Sequence, residues 1–277
     1  MLWARVMLTA PSMLGNRFKS QPYSRASPAL KQSVEQAKPD RPSYERLASV
    51  YHEYSQSFCP DYPAFLQALG RRHGVTFRSV LDVACGAATV TSRLAPWVPR
   101  VVGIDLSAAM LESARAVCRE QPGVQFVQAD YRQFDLNERF DAAVCASDSL
   151  NYLKEPRELQ LVLACVARHL HPGGLFVFDA LDDRGMRRYS DRFVAIRLGD
   201  RECTIVLRYD PARRVEESLV IFGSDVELHR RVPIEPADVL DAARAANLAV
   251  LDWFSIAGFG LLKYGGIRNF YVLRQSS

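Results

Sequence analysis

Between residues 79 and 180, short apolar runs alternate with stretches in which apolar residues recur every three to four positions. The runs SVLDVA (79–84), RVVGID (100–105), VQFVQA (124–129), FDAAVCA (140–146) and GGLFVFDA (173–180) predict strands, with helices between them at 87–95, 107–119 and 156–170. Strands rich in Val, Ile and Phe that alternate with helices imply a parallel sheet covered on both faces and joined by right-handed crossovers. The ligand of such a sheet sits beyond the carboxyl ends of the strands, where the strand order reverses. Upstream, SYERLASVYHEYS predicts a helix that Ser43 can cap, with Tyr44, Leu47, Tyr51 and Tyr54 on one face. DYPAFLQALGRRHG predicts a second helix.

After Ala180 the period falls to two. Cys203, Ile205, Leu207 and Tyr209 alternate with Thr204 and Arg208, DPARR supplies a turn, and VEESLVIFG and DVELHRRV follow as further strands. This predicts a small antiparallel insertion at 185–234, inside a domain whose parts are 41–184 and 235–277. Its apolar face must be covered by the main sheet, by a partner subunit or by substrate. EPADVLDAARAANL predicts a helix, and AVLDWFSI and IRNFYVLR the last strands. Residues 1–40 mix Pro, Ser, Gln and Lys without periodicity and predict a disordered basic leader.

Charge narrows the choice of partner. The chain has a net charge of +4, but eight of its 35 basic and three of its 31 acidic residues lie in 1–46, so 27 face 28 in the remainder. A body this close to neutral is not built to grip DNA, and only the leader is basic. The six cysteines fall singly, without metal spacing, which predicts no metal site and reduced thiols in a cytoplasmic protein. No apolar run approaches the ~20 residues that span a bilayer, and Arg5 interrupts the opening run too early for a signal peptide.

The turn after the first predicted strand reads Ala84-Cys85-Gly86-Ala87-Ala88-Thr89. It lacks the G-x-G-x-x-G of a dinucleotide site and the Lys of a phosphate loop, which counts against a dehydrogenase or a nucleotide triphosphatase. Asp82, inside the strand, would repel a pyrophosphate but suits a cationic amine. Asp105 ends the second strand, where a carboxylate can accept from both hydroxyls of a ribose, and Asp130 ends the third, where it can accept from an adenine amino group. Three strand-end carboxylates together fit a ligand with an ammonium and a nucleoside but no phosphate.

In these residues the chain resembles the class I S-adenosylmethionine-dependent methyltransferases, over roughly residues 42–277. VLDVACGAATV, VVGIDLSAAMLESAR, VQFVQADYRQF, FDAAVCASDSLNYL and LHPGGLFVFD are similar to that family's successive motifs; Ala84 and Ala88 stand where the family often has glycine. The resemblance implies an α/β fold: a Rossmann-like, doubly wound sheet of seven strands with a parallel core and an antiparallel last strand. It implies S-adenosylmethionine as cofactor. Asp82 and the backbone at Ala84 and Gly86 would hold its methionine part, with Ser147 offering a carbonyl to the amine, and Asp105 would bind the ribose. Leu106, Met110, Asp130 and Tyr131 would surround the adenine, and Tyr44 and Tyr51 would cover the cofactor.

SDSLNYL has no proline, unlike the tetrapeptide with which methylases of DNA bases follow the fourth strand. The antiparallel insertion is similar to that of small-molecule N-methyltransferases acting on amino sugars and glycine-like amines, where it forms a substrate pocket or a dimer face. The reading is therefore methyl transfer to a small-molecule acceptor, on N rather than O, in a protein that pairs with neither DNA nor membrane. An RNA methyltransferase using the basic leader and a non-catalytic cofactor-binding module remain as alternatives. A base is needed only if the acceptor must lose a proton, and the candidates are Asp148 and His229. His229 alternates with Glu227 and Arg231 on the polar face of its strand, where a solvated histidine is the competing reading. His169 precedes Pro172-Gly173-Gly174 and is read as a helix cap.

Overall fold

A computed structural model of the chain describes residues 20–36, 44, 47–56, 59, 61–198, 201–223, 225–257 and 267–276. The described chain opens with strand β1 (Ser20–Pro22) and helix α1 (Pro28–Gln36). Helices α2 (Ala48–Gln56) and α3 (Tyr62–His73) follow. Asp61 caps α3 by accepting from the Ala64 N–H at 3.0 Å, and Gly74 ends it at φ 68°, where glycine carries no steric penalty.

The main sheet then builds in chain order: β2 (Ser79–Val83), α4 (Thr89–Leu94), β3 (Arg100–Asp105), α5 (Ala108–Val117), β4 (Val124–Gln128), β5 (Phe140–Cys145), α6 (Leu159–Arg168) and β6 (Leu170–Leu181). Helix α8 (Pro236–Ala245) and strands β11 (Leu248–Ala257) and β12 (Ile267–Gln275) complete it. The order across the sheet is β11-β12-β6-β5-β2-β3-β4, with β2 through β6 parallel and β12 antiparallel to both its neighbours. The order reverses between β2 and β5, and their carboxyl ends therefore open the crevice.

Alternation along each strand feeds two cores. Leu81 and Val83 of β2 point to the α6 and α8 side with Val162, Val166 and Val239, whereas Val80 points to α3 and α4 with Phe65, Leu69, Val90 and Leu94. Asp82 shares the second face and reaches Thr91 on α4.

The insertion folds as a second sheet. Its strands β7 (Arg192–Leu198), β8 (Arg201–Asp210), β9 (Val215–Phe222) and β10 (Asp225–Arg231) follow a short helix α7 (Asp183–Tyr189) and pair antiparallel in sequence order. β1 adds a fifth strand, with Ser20 opposite Val194. The disordered leader expected for 1–40 is thus corrected over 20–36: Val34 and Leu30 of α1 and Tyr23 pack on Val206, Ile221 and Val226 of the sheet's outer face. Composition understated this segment because its few apolar residues are gathered on a single stripe. The apolar face expected from Cys203, Ile205, Leu207 and Tyr209 is the opposite, inner one, where they pack with Leu181 of β6, Met186 of α7 and Leu47. Ser43 lies outside the described residues; α2 starts at Ala48 and directs Leu47, Tyr51 and Tyr54 toward the inner face of the insertion.

Candidate active site

The turn after β2 is held in left-handed backbone at Ala84 (φ 55°), Gly86 (φ 53°) and Ala88 (φ 63°). For alanine this conformation costs roughly 1–2 kcal/mol per residue, so the surrounding contacts over-determine it. A Cβ on Gly86 would stand 3.3 Å from the Tyr51 ring and 4.0 Å from the Met110 sulfur, so a side chain there would crowd Tyr51. Asp105 ties this turn to the next: one oxygen accepts from Gly86 N at 2.8 Å and the other from Ser107 N at 2.9 Å. Burial raises the Asp105 carboxyl against these backbone donors.

Asp82 is 1% exposed and accepts from the Thr91 hydroxyl at 2.6 Å. Burial pushes its carboxyl up to about 7, with the Thr91 hydrogen bond opposing. Leu106 is 67% exposed although large and apolar, and it stands in the cavity wall with Met110 and Tyr131. Asp130 lies there too, but its oxygens already accept from the Arg132 backbone at 2.9 Å and from the Arg132 guanidinium, which lowers its carboxyl. Arg132 is anchored in turn by Glu158 at 2.8 Å. The cavity bounded by these residues, together with Tyr44, Tyr51 and Ser147, has a volume of about 670 Å³.

After β5 the backbone turns through two successive left-handed residues, Ser147 (φ 61°) and Asp148 (φ 51°). Their N–H groups donate to the buried Asp179 of β6 at 2.8 and 2.9 Å, and the Tyr62 hydroxyl and Arg268 donate to the same carboxylate. Asp148 pairs with Arg268 at 2.7 Å and with Arg231, and Arg231 with Glu216. With both oxygens engaged by guanidinium groups, Asp148 holds this corner together.

A second cavity, of about 140 Å³, lies beyond it. Leu47, Val194, Ile205, Leu207 and Val220 form its apolar wall, and Asp148, His229, Arg231 and Arg268 its polar one. Tyr44, Tyr51, Ser147 and Tyr152 border both cavities. His229 is not solvated: it is 2% exposed and faces inward with Glu227 and Arg231, because α1 takes the other face of the sheet. Its Nδ1 lies 3.0 Å from the Tyr152 hydroxyl, its Nε2 3.3 Å from Glu227, and Tyr44 stacks edge-on at 4.6 Å. His169 stands apart from both cavities: it ends α6, its Nδ1 bonds to the Cys165 carbonyl at 2.8 Å, and its Nε2 accepts from Leu136 N at 3.1 Å.

The sequence reading missed Asp179, Tyr152, Glu227 and the two arginines. Asp179 carried a usable signal, since it ends an apolar strand as Asp82, Asp105 and Asp130 do. Arg231 and Arg268 had none, because an arginine on an alternating strand reads as surface.

Comparison with known proteins bears on the segment that forms the larger cavity. Residues 80–174 match a family described as "Methyltransferase domain". Residues 80–174 are thus similar to a methyltransferase domain, a segment that covers about a third of the chain. A dTDP-3-amino-3,6-dideoxy-alpha-D-glucopyranose N,N-dimethyltransferase of Streptomyces fradiae is 37% identical over 136 residues, which are 48% of this chain and 52% of that protein. The chain spans about half the length of the curated relatives it matches. Among solved structures, an S-adenosylmethionine-dependent methyltransferase from Clostridium acetobutylicum ATCC 824 superposes with a TM-score of 0.70 at 20% identity, over 84% of this chain and 99% of that one. A sugar N-methyltransferase from Streptoalloteichus sp ATCC 53650 does so with a TM-score of 0.58 at 21% identity, over 90% and 92%. These two likenesses concern the fold. The matched segment runs from β2 to the start of β6, so it holds the larger cavity's strand ends and stops short of the insertion.

Proposed function

We propose that the protein transfers a methyl group from S-adenosylmethionine to nitrogen on a small-molecule acceptor. The observation that carries this reading is the junction: a cavity rich in strand-end carboxylates opens, at Tyr44, Tyr51, Ser147 and Tyr152, onto a second one walled by the insertion. The residues fit the cofactor. Asp82 is a buried carboxylate that lacks a cationic neighbour among the described residues, and Leu106 offers an exposed apolar face to a flat ring. Asp82, Gly86 and Ser147 would hold the methionine end, Asp105 the ribose, and Leu106, Met110, Asp130 and Tyr131 the adenine. When bound, the cofactor supplies an electrophilic methyl on a sulfonium. What this chain adds is alignment of the acceptor and exclusion of water, for which Tyr44 and Tyr51 are placed.

Nitrogen is supported by the Streptomyces fradiae relative, whose name gives an N,N-dimethyltransferase of an amino sugar. Reaction in the cytoplasm suits six buried, free thiols. The RNA alternative needs the leader for nucleic acid, whereas residues 20–36 cover the insertion. The test is calorimetry with S-adenosylmethionine and its demethylated product, then a panel of amines and hydroxy compounds with labelled cofactor. Micromolar binding and label transfer to amines are expected; absence of binding, or transfer to hydroxyls alone, would overturn the reading.

A further inference from the structure

The two cavities meet at a chain of hydroxyls that the strand-end carboxylates do not explain. The Tyr44 hydroxyl donates to the Tyr152 hydroxyl at 2.7 Å, and the Tyr152 hydroxyl in turn lies 3.0 Å from His229 Nδ1. His229 Nε2 lies 3.3 Å from Glu227, which also accepts from the Leu47 N–H. A phenol has one proton and two lone pairs. Tyr152 therefore accepts from Tyr44, gives its proton to Nδ1, and keeps one lone pair free. This order fixes His229 as the Nε2–H tautomer, with Glu227 as its acceptor.

We propose that Tyr152 is the group that takes the acceptor's proton, and that His229, oriented by Glu227, is the base behind it. The inference rests on the N-methylation reading above. An aliphatic amine reaches a neutral-pH site as ammonium, and nitrogen cannot attack until it loses a proton. In the proposed step one N–H bond of the ammonium breaks and its proton passes to the Tyr152 oxygen. The proton Tyr152 held passes to His229 Nδ1. The products are a neutral amine, a neutral tyrosine and an imidazolium whose Nε2–H stays on the Glu227 carboxylate. Burial pushes the Tyr152 hydroxyl up to about 12, which keeps it a neutral relay and not a standing phenolate. Tyr44 comes from the segment that leads into α2, with φ 69°, a conformation a bulky side chain keeps only under constraint. Its donation to Tyr152 orients the phenol.

Two readouts on the full chain separate this proposal from the reading it rests on. The first needs no turnover: nitrogen-15 resonances of His229 should show an Nε2–H tautomer with Nδ1 as acceptor, and Tyr152→Phe should shift the Nδ1 signal. An Nδ1–H tautomer, or no response to Tyr152→Phe, overturns the relay. The second compares two ring-sized probes, cyclohexylamine, which arrives protonated, and aniline, which arrives neutral. Tyr152→Phe and His229→Gln should each lower kcat for cyclohexylamine by about 10²- to 10⁴-fold, with KM and cofactor affinity nearly unchanged. The loss with aniline should stay under about tenfold. Equal losses for both amines would reduce the two residues to packing and overturn the proposal. Glu227→Gln, acting through His229, should fall between, with its defect again confined to the protonated amine. If wild type binds cofactor but methylates neither probe, the imidazole resonances decide alone. If wild type does not bind cofactor, the methyl-transfer reading fails while the tautomer still tests the chain of hydrogen bonds.

Discussion

Replacing Asp82 with asparagine should stabilise the ligand-free protein while weakening its hold on the cofactor. The carboxyl is 1% exposed and burial moves it from an ordinary 3.8 to about 7. The folded state thus binds this proton more tightly than the unfolded chain. The stability contributed by the neutral form is complete below about pH 4 and is lost as pH rises through about 7. Converted at 1.36 kcal/mol per pH decade, the cost of ionising it in the fold is roughly 4 kcal/mol at pH 8 and under about 2 at pH 5. The amide of Asp82→Asn keeps an oxygen for the Thr91 hydroxyl and removes that cost. Urea unfolding of the ligand-free chains should therefore show the variant ahead by roughly 4 kcal/mol at pH 8, with the gap narrowing by half or more at pH 5. An amide cannot meet an ammonium as a carboxylate does, so calorimetry at pH 8 should show affinity for S-adenosylmethionine reduced at least about tenfold, the loss of one charge-assisted bond. In the wild type at pH 6, binding should also release a proton, seen as a dependence of the heat on buffer ionisation. A variant that is no more stable at pH 8, or a gap that does not change with pH, would refute the reasoning.

Asp179→Ala strands two backbone N–H groups and removes a carboxylate partner from Arg268, so thermal melts should fall by roughly 6–20 °C for a loss of about 3–5 kcal/mol. Asp105→Ala should weaken S-adenosylmethionine and its product by about 1.5–3 kcal/mol in calorimetry, the scale of lost charge-assisted hydrogen bonds. Leu106→Ala, at a side chain 67% exposed, should leave stability within about 0.5 kcal/mol yet lower cofactor affinity severalfold; unchanged affinity would remove Leu106 from the adenine face. Deleting residues 1–36 should lower the unfolding midpoint, because Val206, Ile221 and Val226 lose their cover at about 1.5–3 kcal/mol for each valine fully re-exposed; an unchanged midpoint would return the segment to a passive leader.

The cofactor half was legible because its signals are local. Each of β2, β3 and β5 is buried on both faces and so reads as a continuous apolar run, and the turn between β2 and α4 shows itself by what it lacks. Asp82 and Asp105 announce themselves as charges that end such runs. Ala84 and Ala88 marked a departure from glycine, but only the backbone shows that both are held at left-handed φ, near 55° and 63°. Asp130 was found for the same reason as the others, yet its partner Arg132, two residues on, was passed over as an ordinary loop charge.

The insertion was only partly legible for a reason built into period two. Alternation fixes which residues share a face of a strand, so Glu227, His229 and Arg231 were grouped correctly; it does not say which face is inside. The usual rule sends the polar set outward, and here it fails because both faces of the insertion are covered. One is covered by α1, whose apolar stripe was hidden in a polar segment, and the other by the corner that Asp148, Asp179 and Arg268 build on the main sheet. Cross-strand register then makes the buried polar set self-consistent: Arg231 stands opposite Glu216 and His229 opposite Ser218. Charges so placed are tolerated only when each finds a partner: Glu216 of β9 and Asp148 of the turn after β5 meet Arg231, Tyr152 meets His229, and behind Asp148 stand Arg268 of β12 and Asp179 of β6. No window of the sequence contains that set. A buried polar face that draws its partners from four separate elements is what a site for a polar acceptor requires, and for the same reason it is the part of the chain that sequence reasoning reaches last.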